Sequence, residues 1–164
     1  SIVLISTQQP LLIIGIAPGV NTGIAIYDKR SRQFKVVKSM NIVNTLLELQ
    51  TLSLNPAIKL IVVENPSLNS PVFHKDTVIA KSGIDGFAKK AQNVGAVGRD
   101  AVILLQWCKA LFNEVDIREH RPSKSNSLLT KQDHATFCKM TGYTGKSSSE
   151  HSRDAGMLAW FYSK

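Results

Sequence analysis

The chain has 164 residues, 43% of them hydrophobic and 20% charged, with a formal net charge of +8 and a pI near 9.7. That balance suits one folded domain spanning 1–164, able to bury roughly two thirds of the surface its unfolded form exposes. It excludes a membrane-spanning chain, whose segments need about 20 apolar residues in a row, and, with cysteine limited to Cys108 and Cys138, a disulfide scaffold.

Residues 1–10 read as a flexible or peripheral N-terminal segment without the basic-then-apolar order of a signal peptide. A cytoplasmic chain with buried thiols is therefore expected. Residues 11–17, 22–28 and 33–39 are rich in Ile and Val and separated by short loops, which predicts three strands in an antiparallel meander. Ile42, Val43, Leu46, Leu47, Leu49 and Leu52 recur at helical spacing, and Asn55-Pro56 ends that helix. Lys59–Glu64 reads as a buried strand. Coming after a strand and a helix, it should pair parallel to the first strand.

Residues 65–86 carry Pro66, Pro71 and several Ser and Asn, and predict a long surface loop. A helical pattern over 87–113 contains Gly95 and Gly98, each costing about 1 kcal/mol against Ala, which implies a close packing partner. A fifth strand is expected over 115–118. Thr130, with Asp133 three residues on, predicts a cap for a helix over 131–140 that Thr141-Gly142 ends. Ser147 and Glu150 form a capping-box pattern for a last helix through Trp160 and Phe161.

Four positions could carry chemistry. Glu64 follows a run suited to a sheet interior, so its carboxylate falls at the carboxyl end of a central parallel strand, where open α/β sheets place ligands. A glutamate that marks the strand's exit into solvent is the plainer alternative. His151 and Asp154 are three residues apart and share a helix face, as convergent ligands or acid/base groups would; taken alone, the pair is a weak signal for which a solvated face is the plainer explanation. Ala17 ends the run Ile13-Ile14-Gly15-Ile16-Ala17-Pro18-Gly19, where the strand meets its turn.

The cationic excess is spread along the chain: seven Lys and Arg against four acids in residues 1–80, and thirteen against eight in 81–164. A compact domain this basic attracts polyanions by its summed field, and nucleic acid comes first among them. A basic surface serving solubility is the competing explanation. Lys75, Lys81, Lys89, Lys90, Arg99, Arg121, Lys124 and Lys146 are candidate phosphate contacts, as are Lys109, Arg118, Lys131, Lys139 and Arg153. Phe73 and His74, in the Pro-flanked loop, are candidates for stacking on an opened base, or else for packing the loop onto the body.

In order and spacing, three motifs resemble the RuvC family of Holliday-junction resolvases, phage-encoded members being nearest in style. Gly15-Ile16-Ala17-Pro18-Gly19 with Thr22-Gly23 is similar to the family's Gly-Ile-Asp-Pro-Gly opening followed by Thr-Gly. Val62-Val63-Glu64 is similar to its acidic end of strand four, and His151-Ser152-Arg153-Asp154-Ala155 to its closing acid-x-x-Asp-Ala, which starts with His in some bacterial members. The resemblance covers roughly residues 11–162. It implies an α/β, ribonuclease H-like fold: a five-stranded mixed sheet, made of a three-strand antiparallel meander plus two parallel strands, flanked by helices.

For function the resemblance implies metal-dependent phosphodiester hydrolysis on four-way or branched DNA by a homodimer, with the long helix at the dimer interface or lining the DNA channel. Two Mg²⁺ ions, or Mn²⁺, would be held by Glu64 and Asp154, with His151 a ligand or an orienting group for the attacking water. Ala17 departs from the pattern, since the family has its first aspartate there. The chain is therefore expected to bind branched DNA and cleave it very poorly, whether through an engineered change or a naturally inactive lineage. Two other classes compete. Actin-like ATPases and sugar kinases share the opening turn but need two such domains around a nucleotide, so no nucleotide cofactor is expected. A non-catalytic DNA-binding protein on the same fold is the second.

Overall fold

The computed structural model describes residues 9–65, 96–122 and 129–164. Three strands, β1 (Leu12–Ala17), β2 (Thr22–Asp28) and β3 (Gln33–Met40), lead into helix α1 (Ile42–Leu52) and strand β4 (Ile58–Glu64). Helix α2, described over 96–111, precedes β5 (Asp116–His120), α3 (His134–Thr141) and α4 (Glu150–Phe161). The sheet runs β3-β2-β1-β4-β5, antiparallel through β1, β2 and β3 and parallel from β1 to β4 and β5. This is the expected α/β architecture, a five-stranded mixed sheet flanked by helices. Among the described residues no helix is long and apolar enough to cross a membrane.

β1 is buried at every position because both faces of the sheet are covered. Leu12, Ile14, Ile16, Ile24, Ile26, Ile61 and Val63 point to one face and pack against Leu49 of α1 and Ala101, Leu104 and Cys108 of α2. Trp107 Nε1 donates to the Leu46 carbonyl at 2.9 Å and ties those two helices together. Ile13 and Tyr27 point to the other face and meet Ala159 of α4, while Phe137 of α3 packs with Met157 and Leu158.

On that second face the backbone of α4 lies directly on the sheet. A β-carbon at Gly15 would collide with the Ala155 carbonyl, and one at Gly23 with that of His151. Glycine at these two strand positions is thus a packing requirement, one that follows from small-on-small contact between a helix and a sheet.

Several predicted boundaries shift. The last two helices start later than expected: Asp133, not Thr130, caps α3, accepting from Thr136 N at 2.7 Å, because Lys131 takes φ 59° and breaks the first turn. Ser149, not Ser147, caps α4, and the reciprocal bonds of the box are made with Ser152 instead of Glu150. Three consecutive serines left that choice open in the sequence. β3 and β5 extend to Met40 and His120 because their partners Thr22 and Glu64 continue the ladder that far. Cys108 is buried as expected, whereas Cys138 is partly exposed.

Candidate active site

The parallel strands β1, β4 and β5 share one carboxyl edge, and the pairs Ile16↔Val63 and Glu64↔His120 fix what stands there. One residue past the first pair, Ala17 and Glu64 are side by side. Ile16 and Val63 face the α1–α2 core, so strand alternation turns both Ala17 and Glu64 toward α4. Ala17 is 3% exposed and packs with Ala25 and with Ala155 of α4. Directly after Glu64, the buried Asn65 donates its backbone N–H to the His120 carbonyl and its side-chain amide to Glu119, which fixes the strand's exit.

α4 delivers the second carboxylate. Asp154 lies one turn into the helix, and its Oδ1 accepts the Lys131 backbone N–H at 3.0 Å. Burial raises the Glu64 carboxyl from an ordinary 4.5 to about 7, and the charge on Asp154 adds to the rise. Asp154 is also raised, chiefly by burial and further by Glu150, while the Lys131 amide and the charges of His151 and Arg153 pull it back. The charge on Asp154 thus opposes ionisation of Glu64, in addition to the cost of its burial.

His151 stands over the turn after β1. A β-carbon on Gly19 would be 2.9 Å from its Cε1 and 3.2 Å from its Nδ1. Of the three residues the sequence singled out with Ala17, Glu64 and Asp154 are thus electrostatic neighbours at the end of β1, and His151 stands over the turn that follows it. Asp28 is excluded from this edge. It pairs with Leu12 at the opposite end of β1, where burial would raise its carboxyl but hydrogen bonds from Arg30, Leu11 and Ser31 hold it below the usual range.

The basic candidates divide into groups. Arg121, exposed, follows β5 at the carboxyl edge, and Lys146 is exposed in the connection between α3 and α4. Arg99 is exposed on α2, on the other side of the sheet from α4. Arg118 and Arg153 are committed elsewhere: Arg118 pairs with Asp116 at 2.8 Å, and Arg153 donates to the carbonyls of Gln132 and Ser148 at 2.6 and 2.7 Å. Phe73, His74, Lys75, Lys81, Lys89, Lys90 and Lys124 lie outside the described residues. Sequence reasoning missed the Lys131 amide as the group that orients Asp154, because a positive-φ lysine in a loop carries no sequence signal.

Among the described residues, no three His, Cys, Asp or Glu side chains are grouped closely enough to enclose a metal ion. Glu64 and Asp154 nevertheless form a donor set of hard oxygens under mutual repulsion, which a divalent cation would relieve. No model of a known protein family matches the chain, and no curated protein matches it significantly.

Proposed function

We propose that this chain has the scaffold of a RuvC-like, structure-selective endodeoxyribonuclease, and that with Ala17 in place it binds branched DNA and cleaves it very poorly. The observation that carries this reading is the convergence of Glu64 and Asp154 on the carboxyl edge of the sheet, beside Ala17. Glu64 and Asp154 would hold Mg²⁺ or Mn²⁺, two ions in an active form, and a cation bound there would polarise a phosphodiester and acidify a bound water. The Lys131 amide orients Asp154, and His151 closes the site over Gly19. Arg121 and Lys146 would contribute phosphate contacts along the same edge. The reading includes a homodimer facing the two symmetric strands of a four-way junction, in a cytoplasmic setting.

A purely DNA-binding role on the same fold is favoured by a separate observation. The Ala17 methyl closes on Ala25 and Ala155 at 3% exposure, a packing that a carboxylate would disturb. Ala17→Asp separates the two. With Mg²⁺ or Mn²⁺, paired symmetric nicks in a synthetic four-way junction support the nuclease scaffold. Junction binding without nicking over a range of metals supports the binding role. Affinity no higher for junctions than for plain duplex overturns both.

A further inference from the structure

We propose that Cys138 is a nucleophilic thiol for which His134 acts as the base, and that small disulfides are its substrate class. α3 places the two residues four apart on one face, and Cys138 Sγ lies 3.5 Å from His134 Nε2. The far side of the imidazole is held as well: Nδ1 is 2.7 Å from Ser148 Oγ. Ser148 is itself fixed by Arg153 Nη1, at 2.7 Å to its carbonyl and 3.2 Å to its hydroxyl. The Tyr143 ring meets the imidazole edge-on, with centroids 6.2 Å apart. A nucleophile, a base within reach and a third group that orients the base form the general pattern of an activated side chain.

The network around His134 accommodates the tautomer the reaction needs. Arg153 donates to Ser148 Oγ, the second lone pair of that oxygen is open to Nδ1–H, and the reaction uses this tautomer, in which Nε2 is the base facing the sulfur. Both His134 and Cys138 are partly exposed, so a small molecule can reach them. Cys108 is the internal contrast: it is fully buried, and burial pushes its thiol up to about 12.

Exchange with a disulfide asks only for this sulfur and this base. As Sγ bonds to one sulfur of the disulfide, its proton passes to His134 Nε2. The substrate's S–S bond breaks, its electron pair leaves on the second sulfur, and that thiolate takes the proton back from His134. The products are a mixed disulfide at Cys138 and one free thiol, and the disulfide is the only oxidant consumed. The site is thus one for reversible thiolation.

The test uses the full chain and dithiodipyridine, with release of thiopyridone followed at neutral pH and the labelled residue mapped by mass spectrometry. One equivalent should be released rapidly from Cys138, faster than from the same thiol in the urea-unfolded chain, and the second equivalent, from Cys108, only on unfolding. Cys138→Ser should remove the fast phase. His134→Ala should slow it by at least about ten-fold, and imidazole added to the solution should restore part of the rate. A thiol in the folded chain that reacts no faster than in the unfolded one overturns the proposal. So does a His134→Ala rate that is unchanged, or one that imidazole fails to raise in a variant whose circular dichroism matches the parent.

Discussion

The imidazole of His151 lies against Gly19, its Cε1 2.9 Å from the place a β-carbon on that glycine would take. The nearest obstacle is the far end of a side chain, which can swing away, and the Asn21 backbone oxygen at 3.2 Å needs to give by only a few tenths of an ångström. Gly19→Ala should therefore cost less than about 1 kcal/mol of stability while moving the imidazole off the turn. The Cε1–H resonance of His151 should shift in NMR spectra with the urea midpoint nearly unchanged. Gly23→Ala meets the His151 backbone carbonyl instead, which cannot yield without lifting α4 from the sheet. A loss of roughly 2–3 kcal/mol, or failure to fold, is expected in urea titrations.

The burial of Glu64, with the charge of Asp154 beside it, makes stability depend on pH. Glu64 titrates at about 7 in the folded chain against an ordinary 4.5, so between those values the folded state holds more protons than the unfolded one. Stability then falls as pH rises from about 4.5 to about 7 and levels off above, with at most about 3 kcal/mol at stake. The raised Asp154 acts in the same direction. Glu64→Gln removes the charge that is costly to bury, so it should raise the melting temperature at pH 8 and flatten this part of the profile. A lower melting temperature at pH 8 would contradict the assignment.

Ala17→Asp adds a carboxylate to a position 3% exposed, beside Glu64. Without divalent cations the variant should lose about 2–4 kcal/mol, as uncompensated buried charge does. Saturating Mn²⁺ should recover about 2.7 kcal/mol of that at a hundred times the dissociation constant. Thermal unfolding with and without Mn²⁺, compared with the unsubstituted chain, provides the measurement. A variant whose melting temperature ignores the metal would count against a cation site at this edge.

Lys146 and Arg153 differ in role although both are basic and near α4. Lys146→Glu should weaken junction binding and lower the salt slope by about 1 or more, leaving the melting temperature unchanged. Arg153→Ala should lower stability first, because its guanidinium ties Gln132 and Ser148 to the helix. Fluorescence anisotropy at several salt concentrations, alongside thermal unfolding, separates the two effects.

The succession of strands and helices, the mixed sheet and the placing of Glu64 at a strand's carboxyl end were legible in the chain, because they follow from local periodicity and from the topology of short connections. The sequence also marked His151 and Asp154 as neighbours, since helical spacing fixes that without tertiary contacts. The caps Asp133 and Ser149 were decided against Thr130 and Ser147, nearby residues of similar capping ability, and a choice of that kind depends on which backbone turn the packed structure permits. Only the tertiary structure brought α4 onto β1 and β2 through Gly15 and Gly23, and with it Asp154 to Glu64 and His151 to Gly19. The raised carboxyl of Glu64, the Lys131 amide on Asp154 and the burial of Ala17 against Ala155 all depend on that contact. Each pairs residues far apart in the chain, and burial and repulsion arise only between groups that folding has brought together.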